Sequence, residues 1–138
     1  AGDMEEELTP FVRTHSIMHG QISAPEEMQR LYAQSHVIIL TSAYEGFLMV
    51  ITEGMANGCI PLVTALPGNL THLKDGINAL LIDDYEDEGA VIAAGIIQIN
   101  FLVENKPTRI KLSQSAQQYA THYFGKNCFN EAYGSILM

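Results

Sequence analysis

Two glutamates, Glu45 and Glu53, are the residues of this sequence best placed to do chemistry. They lie in the stretch "SAYEGFLMVITEGMANGCIPLV", with seven residues between them and a glycine directly after each. Glu53 lies in a predicted helix that is apolar on nearly all sides. Because burying an unpaired charge is costly, the sequence predicts that Glu53 is a buried carboxylate with a hydrogen-bonding partner.

A strand-to-helix turn is predicted to position both glutamates. "HVIILTS" is a continuous apolar run of strand length, which is typical of a strand buried on both faces of a parallel sheet. "FLMVITEGMAN" has helix length and stops at Gly58, and "CIPLVTA" predicts the next buried strand. In such a sheet, ligands bind outside the carboxyl ends of the strands, where the next helix begins.

The helix that begins near Phe47 is predicted to bind an anion. The amides of about residues 46 to 49 would have no partner within the helix, and the helix dipole is positive at this end. Glu53 lies five residues beyond Leu48, roughly 7 Å along the helix axis, about the distance from a pyrophosphate to its ribose. A carboxylate there can accept hydrogen bonds from both ribose hydroxyls, and Glu45 can hold the hydroxyls of a sugar.

The rest of the chain indicates an α/β fold. "MEEELTPF" predicts a short acidic helix, "VRTHSIMHG" a strand ending at Gly20, and "QISAPEEMQRLYAQS" a helix with a Ser23–Glu26 capping box and Pro25 in its first turn. "LPGNL" predicts a turn, "THLKDGIN" a short helical piece with an Asp-Gly turn, and "ALLI" a strand. From Asp83 onward, the acidic "DDYEDE" leads into helices alone. This order predicts a Rossmann-like, doubly wound parallel sheet with C-terminal helices.

The composition limits the class of protein. The chain has 138 residues, 47% of them apolar and 17% charged, which suits a single domain over residues 1–138. Its 7 basic and 16 acidic residues give a net charge of −9, so nucleic acid is not an expected partner. No apolar run approaches the roughly 20 residues of a membrane span. Cys59 and Cys128 lack paired spacing, which favours free thiols in a cytosolic protein.

The glutamate stretch resembles a motif of retaining GT-B glycosyltransferases of the group 1, or family 4, type. The motif has a pattern like S-x-x-E-G-F-x-x-x-x-x-E-x-M-A-x-G-x-P-V. The matching residues are Ser42, Glu45, Gly46, Phe47, Glu53, Met55, Ala56 and Gly58, with Pro61 one position later than the proline of the pattern. The similarity extends to "HGQIS…LYAQSHVIIL" before the motif, to "DGINALLI" after it, and to "YFGKNCFNEAY" as a closing helix. Two departures are Leu66-Pro67-Gly68 in place of a glycine-rich turn and His72 near where an acid is common.

The resemblance implies a C-terminal domain that binds the sugar donor. The enzyme would be of the hexosyltransferase type and would transfer a sugar from a nucleotide-sugar to an acceptor with retention of configuration. The backbone of Gly46, Phe47, Leu48, Met49 and Val50 would hold the donor phosphates, Glu53 the ribose, and the catalytic Glu45 the donor sugar. No metal and no other cofactor is expected.

The resemblance also implies parts that precede this chain. The opening "AGDMEEEL" is similar to a glycine turn and acidic helix of the family, and there an acceptor domain, two strands and a phosphate-binding basic pair come before this turn. We therefore expect a partial domain that is inactive alone. Its sheet must close in another way or borrow strands from a second copy, so self-association is expected as well.

Other interpretations compete with this one. Acids near a helix N-terminus are stabilising without any ligand, which could explain Glu45 and Glu53. "DDYEDE" could be the acid pair of a receiver domain, although we favour a solvated loop that caps the next helix. His15 and His19 would lie on the same face of the predicted strand, but the sequence offers no evident third metal ligand beside them. The alternative function is a non-catalytic, receiver-like or degenerate α/β interaction module, which would not need the glycine after Glu45.

Overall fold

The computed structural model describes residues 8–43 and 49–126. The elements in these ranges are, in chain order, α1 (Pro10–His15), α2 (Pro25–Gln34), β1 (Val37–Leu40), α3 (Met49–Ala56), β2 (Ile60–Thr64), α4 (Pro67–Leu70), β3 (Leu80–Ile82), α5 (Glu88–Glu104) and α6 (Lys106–Phe124). The strands form a parallel sheet in the order β1-β2-β3. The predicted α/β fold with a parallel sheet and C-terminal helices is confirmed.

The three strands differ in how far they are covered. All five residues of β2, the central strand, are buried, as are all three of β3. Val37 to Leu40 of β1 pair with Ile60 to Val63 of β2, and β1 forms one edge of the described sheet. Ile39 is 50% exposed. The prediction that the "HVIILTS" strand is buried on both faces is therefore wrong, because α5 covers the Ile39 face of the sheet mainly over β2 and β3.

Alternate residues of the sheet face two separate hydrophobic cores, since successive side chains of a strand point to opposite faces. Val63 and Leu81 pack in one core with residues of α3 and α6. Leu62 and Leu80 pack in the other core, where Leu102 supplies the contact from α5. Helices thus cover both faces of the sheet, as a doubly wound fold requires.

The segment "VRTHSIMHG" does not form the predicted strand. Its first residues belong to α1, where the Thr9 hydroxyl accepts a hydrogen bond from the Val12 amide and Pro10 occupies the first turn. These start signals outweigh the alternating pattern. His15 therefore lies in a helix and stacks on Phe11, with ring centroids 4.2 Å apart. The predicted strand face shared by His15 and a second histidine does not exist.

Helix α2 is confirmed, but its predicted capping box is wrong. The N-cap residue is Ala24, which offers no side-chain hydrogen bond to the helix. Pro25 takes the first helical position, and this places Ser23 one residue too early to cap.

In the connection from β2 to β3, two predictions are wrong because the helix and the turn occur in the opposite order. "LPGNL", predicted as a turn, contains the short helix α4, whereas "THLKDGIN", predicted as helical, forms turns. The Asp75 carboxylate accepts a hydrogen bond from the Leu81 amide at 2.8 Å, and Oδ1 of the Asn78 side chain accepts one from the Lys74 amide at 2.8 Å. The Asp-Gly turn itself is confirmed, since Gly76 has a φ of +69°. Side chains that bond the backbone have replaced the helix here.

After the acidic loop, the described chain consists of the helices α5 and α6, as predicted. The Asp87 carboxylate accepts a hydrogen bond from the Ala90 amide at 2.7 Å, so the acidic loop does cap the next helix. Part of the apolar stripe of α5 is exposed, for example Ile97 at 68%. The predicted closing helix falls mostly on residues 127–138 and lies outside the described residues. Within the described ranges, no helix is long and apolar enough to cross a membrane.

Candidate functional site

Glu53 lies on the side of α3 that faces α2. The Tyr32 hydroxyl of α2 donates a hydrogen bond to its Oε2 at 3.3 Å. Glu53 itself is exposed, so the prediction that it is buried is wrong. Its position follows from the helical period, because Ile51 and Met55 turn toward the core and Glu53, two residues from each, lies on the opposite side of the helix. The predicted hydrogen-bonding partner, however, is present.

A cavity of about 430 Å³ opens between α2 and α3 beside Glu53. This volume lies within the usual range of small-molecule sites. Its apolar lining comes from Ile22, Pro25 and Met28, and its polar lining includes Gln29, Tyr32, Glu53 and Asn57. The cavity therefore combines apolar surface with several side chains that can form hydrogen bonds.

The Tyr32 hydroxyl is fixed as a hydrogen-bond donor. Tyr32 is 8% exposed, and its burial, followed by the charge and hydrogen bond of Glu53, raises the pKa of its phenol above the usual value of 10.0. The phenol thus keeps its proton at neutral pH and points it at the carboxylate. This contact orients Oε2 of Glu53, and among the described residues no other side chain donates a hydrogen bond to this carboxylate.

We expect the stability of the domain to fall above about pH 10, and Tyr32→Phe to reduce that fall. The folded-state pKa of Tyr32 is raised. Its contribution is therefore complete below the unfolded-state pKa of about 10 and is lost as the pH rises through the folded-state pKa. Urea unfolding of both proteins between pH 8 and pH 11 measures the effect. Tyr123→Phe, at a residue 52% exposed, is the control, and equal pH profiles for wild type and Tyr32→Phe would contradict the assignment.

Cys59 contacts the backbone of Tyr32 from the core. It is completely buried, and its thiol donates to the Tyr32 carbonyl at 3.2 Å. Burial raises the pKa of the thiol. Cys59 is therefore a small core residue, and it is poorly suited to act as a nucleophile.

The other predicted site residues lie at the start of α3 or before it. Met49, which is 76% exposed, and the half-buried Val50 open the described part of α3, on the carboxyl side of β1. The structure thus places both of them and Glu53 on one helix. Glu45, Gly46, Phe47 and Leu48 lie outside the described residues.

The sequence analysis missed several residues of the site, among them Tyr32 and Asn57. Tyr32 has the spacing of an ordinary core residue of α2, and Asn57 directly follows α3, where its side chain donates to the Glu53 carbonyl at 2.9 Å. A sequence signal for Tyr32 would have been its position in the last turn of α2, the helix that precedes β1 and the glutamate stretch. Within residues 8–43 and 49–126, no group of three His, Cys, Asp or Glu side chains is arranged to hold a metal ion.

Comparison with known proteins identifies the family. The sequence profile of the family described as "Glycosyl transferases group 1" matches residues 8–119, a range that contains α2, β1, α3 and the cavity between the two helices. The chain belongs to the group 1 glycosyl transferases. The resemblance noted for the glutamate stretch is thereby confirmed, and the receiver-like alternative is not favoured.

Two relatives of this group 1 domain extend the comparison. A D-inositol 3-phosphate glycosyltransferase of Corynebacterium urealyticum is 28% identical over 103 residues, which are 75% of this chain and 23% of that protein. The C-terminal domain of a group 1 glycosyl transferase family protein (LpcC) from Francisella tularensis aligns with a TM-score of 0.72 and 21% identity, over 91% of this chain and 64% of that one. The second likeness shows a shared fold. The chain thus spans less than a quarter of the curated relative that it matches.

Proposed function

We propose that this group 1 domain binds the nucleotide-sugar in an enzyme that transfers a sugar to an acceptor with retention of configuration. The observation that carries the proposal is the Glu53 carboxylate, which lies on the wall of the cavity and is oriented by the Tyr32 hydroxyl at 3.3 Å. A ribose has two adjacent hydroxyls that can donate to one carboxylate. Hydrogen bonds to a charged acceptor are stronger than those between neutral groups.

The cavity lining suits a nucleotide whose base and ribose contact different residues. Ile22, Pro25 and Met28 offer an apolar surface for the base, and Glu53 lies across the cavity for the ribose. Small-molecule sites commonly combine an apolar lining with a few polar groups that fix the orientation of the ligand.

The phosphates of the donor are proposed to bind at the start of α3. There the amides of Met49 and Val50, with those of Gly46, Phe47 and Leu48 before them, would hold the charge without a metal ion, since a helix N-terminus favours anions. Glu45 is the proposed contact to the donor sugar.

Further parts of the protein are proposed to complete the enzyme. An acceptor domain and additional strands would precede this chain, and the open edge of β1 is the place where a further strand, from this protein or from a second copy, would pair. We propose that the enzyme acts in the cytoplasm.

A cavity-filling variant tests where the nucleotide binds. Ala56 is exposed and lines the cavity, so Ala56→Leu adds an apolar group to the space proposed for the nucleotide. We expect calorimetric titration with UDP, GDP and ADP to show that the wild type binds one of them, and that Ala56→Leu weakens this binding roughly tenfold or more, the scale of a steric misfit.

Ala33→Leu is the matched control, because Ala33 is an exposed helical alanine that does not line this cavity. It should bind as the wild type does. Equal affinity of Ala56→Leu and wild type would place the nucleotide elsewhere and contradict the proposal.

A further inference from the structure

The carboxyl ends of β1 and β2 are joined by a side-chain hydrogen bond beyond the last pair of the sheet. The register of the two strands ends with Leu40 opposite Val63. Thr64, the next residue, is 1% exposed, and its hydroxyl donates to the Ser42 carbonyl at 2.6 Å. Ser42 lies two residues after β1 and three positions before Glu45. The bond therefore fixes the backbone of Ser42 relative to the central strand.

Asn69 of α4 forms a hydrogen bond with the backbone carbonyl of Thr64. Its Nδ2 donates to the Thr64 carbonyl at 2.8 Å, and the Leu66 amide donates to the same oxygen at 2.8 Å. Both acceptor positions of this carbonyl are thus occupied. Asn69 is 4% exposed, and its Oδ1 is buried without a hydrogen-bond partner. A reversed amide would set Oδ1 against the Thr64 carbonyl, so the donation by Nδ2 fixes the orientation of the side chain.

We propose that Thr64, held by Asn69, is a positioning residue for binding of the sugar donor and acts through Ser42. This inference rests on the proposed function of the domain. Thr64 does not touch the ligand. It sets where the chain leaves β1, three residues before the proposed sugar contact at Glu45 and seven before the first described residue of α3.

Thr64 is built into the fold in a way that suits this role. Its backbone pairs with Ile82 of β3, so its hydroxyl is aimed from a fixed position. Its β-branched side chain has few allowed rotamers, and this limits the direction of the hydroxyl further. Valine has nearly the same shape without the hydroxyl. Because Ser42 is half-buried, its carbonyl can turn to water when the hydroxyl is removed. Thr64→Val should therefore change the position of the Ser42 backbone more than it changes the free energy of unfolding.

The test compares Thr64→Val with Thr64→Ser, which keeps the hydroxyl. Each variant is titrated calorimetrically with UDP, GDP and ADP beside the wild type. We expect the nucleotide that the wild type binds to bind Thr64→Val roughly three- to tenfold more weakly, the scale of one hydrogen bond, and Thr64→Ser within about twofold. In NMR spectra without nucleotide, the amides of Ser42 and Ala43 should shift in Thr64→Val and stay in place in Thr64→Ser.

Thr71→Val is the matched control, since Thr71 is exposed and its hydroxyl donates to the Pro67 carbonyl at 3.3 Å. It should bind as the wild type does. A wild type that binds no nucleotide overturns the proposed function and this inference with it, whereas wild-type binding that Thr64→Val leaves unchanged overturns the positioning role alone. If Thr64→Val does not fold, Asn69→Leu, which keeps the branched shape of the side chain and removes the donor, carries the same expectation and the same two contrary outcomes.

Discussion

Replacement of Leu62 by alanine is expected to lower the free energy of unfolding by about 2–5 kcal/mol. Leu62 is completely buried in the middle of β2, the central strand, and it packs in the core on the α5 side of the sheet. Its partner in β3 is Leu80, which is itself 4% exposed. Strands hydrogen-bonded on both sides cannot move inward freely, so the cavity left by the missing atoms would stay open. Urea denaturation monitored by circular dichroism measures the loss.

Leu70→Ala is the control for the Leu62 prediction. Leu70 lies at the end of α4 and is 51% exposed, so its truncation should change the free energy of unfolding by about 0.5 kcal/mol or less. A loss below about 1 kcal/mol for Leu62→Ala would be smaller than any fully buried leucine should give. Such a result would contradict the position of β2 at the centre of the fold.

The sheet was the part of the fold most accessible from sequence. β1, β2 and β3 are short apolar runs bounded by turn residues, and each run is followed or preceded by a helix with its own stop signal, such as the left-handed Gly58 with a φ of +84°. These signals are local, and the length of each apolar run and its flanking turn residues show them directly. The pattern could not show which strand is the most exposed, because an edge strand and a central strand can have the same apolar sequence.

The elements predicted wrongly are short and are decided by side-chain hydrogen bonds. At the start of α1, the Thr9 cap and Pro10 outweigh an alternating pattern of residues. After α4, Asp75 and Asn78 bond the backbone and prevent the predicted helical piece. Such bonds depend on single residues, and periodicity over a window does not detect them.

The candidate site was predictable in part. The motif singled out Glu53, but its burial was misjudged because the side of α3 that faces the sheet is decided by packing, through Ile51 and Met55. Tyr32 is separated from Glu53 by 21 positions. The two meet only when β1 brings α2 and α3 side by side, and no local pattern carries that information.

Glu53→Gln is expected to weaken nucleotide binding by about 1–3 kcal/mol, roughly a 5- to 150-fold rise in Kd. The variant keeps the size of the side chain and removes the charge that the ribose hydroxyls would bond. It also loses the charge that the Tyr32 hydroxyl now faces at 3.3 Å, so the remaining amide is less well oriented. Because Glu53 is exposed, its loss should cost little stability, and the variant should unfold at nearly the same urea concentration as the wild type.

Glu104→Gln provides a control with the same change of charge. Glu104 is exposed at the end of α5 and does not line the cavity. It should leave the affinity unchanged, which separates a local effect of Glu53 from the smaller net charge of the protein. Equal weakening by both variants would indicate a general electrostatic effect instead of a contact.

The most direct measurement is a calorimetric titration of the wild type and of Glu53→Gln with UDP, GDP and ADP, carried to millimolar nucleotide. Binding of one nucleotide by the wild type, weakened by about 1–3 kcal/mol in Glu53→Gln, is the result expected of a sugar-donor site in the cavity between α2 and α3. Absence of binding to the wild type, or equal binding to both proteins, would contradict that site.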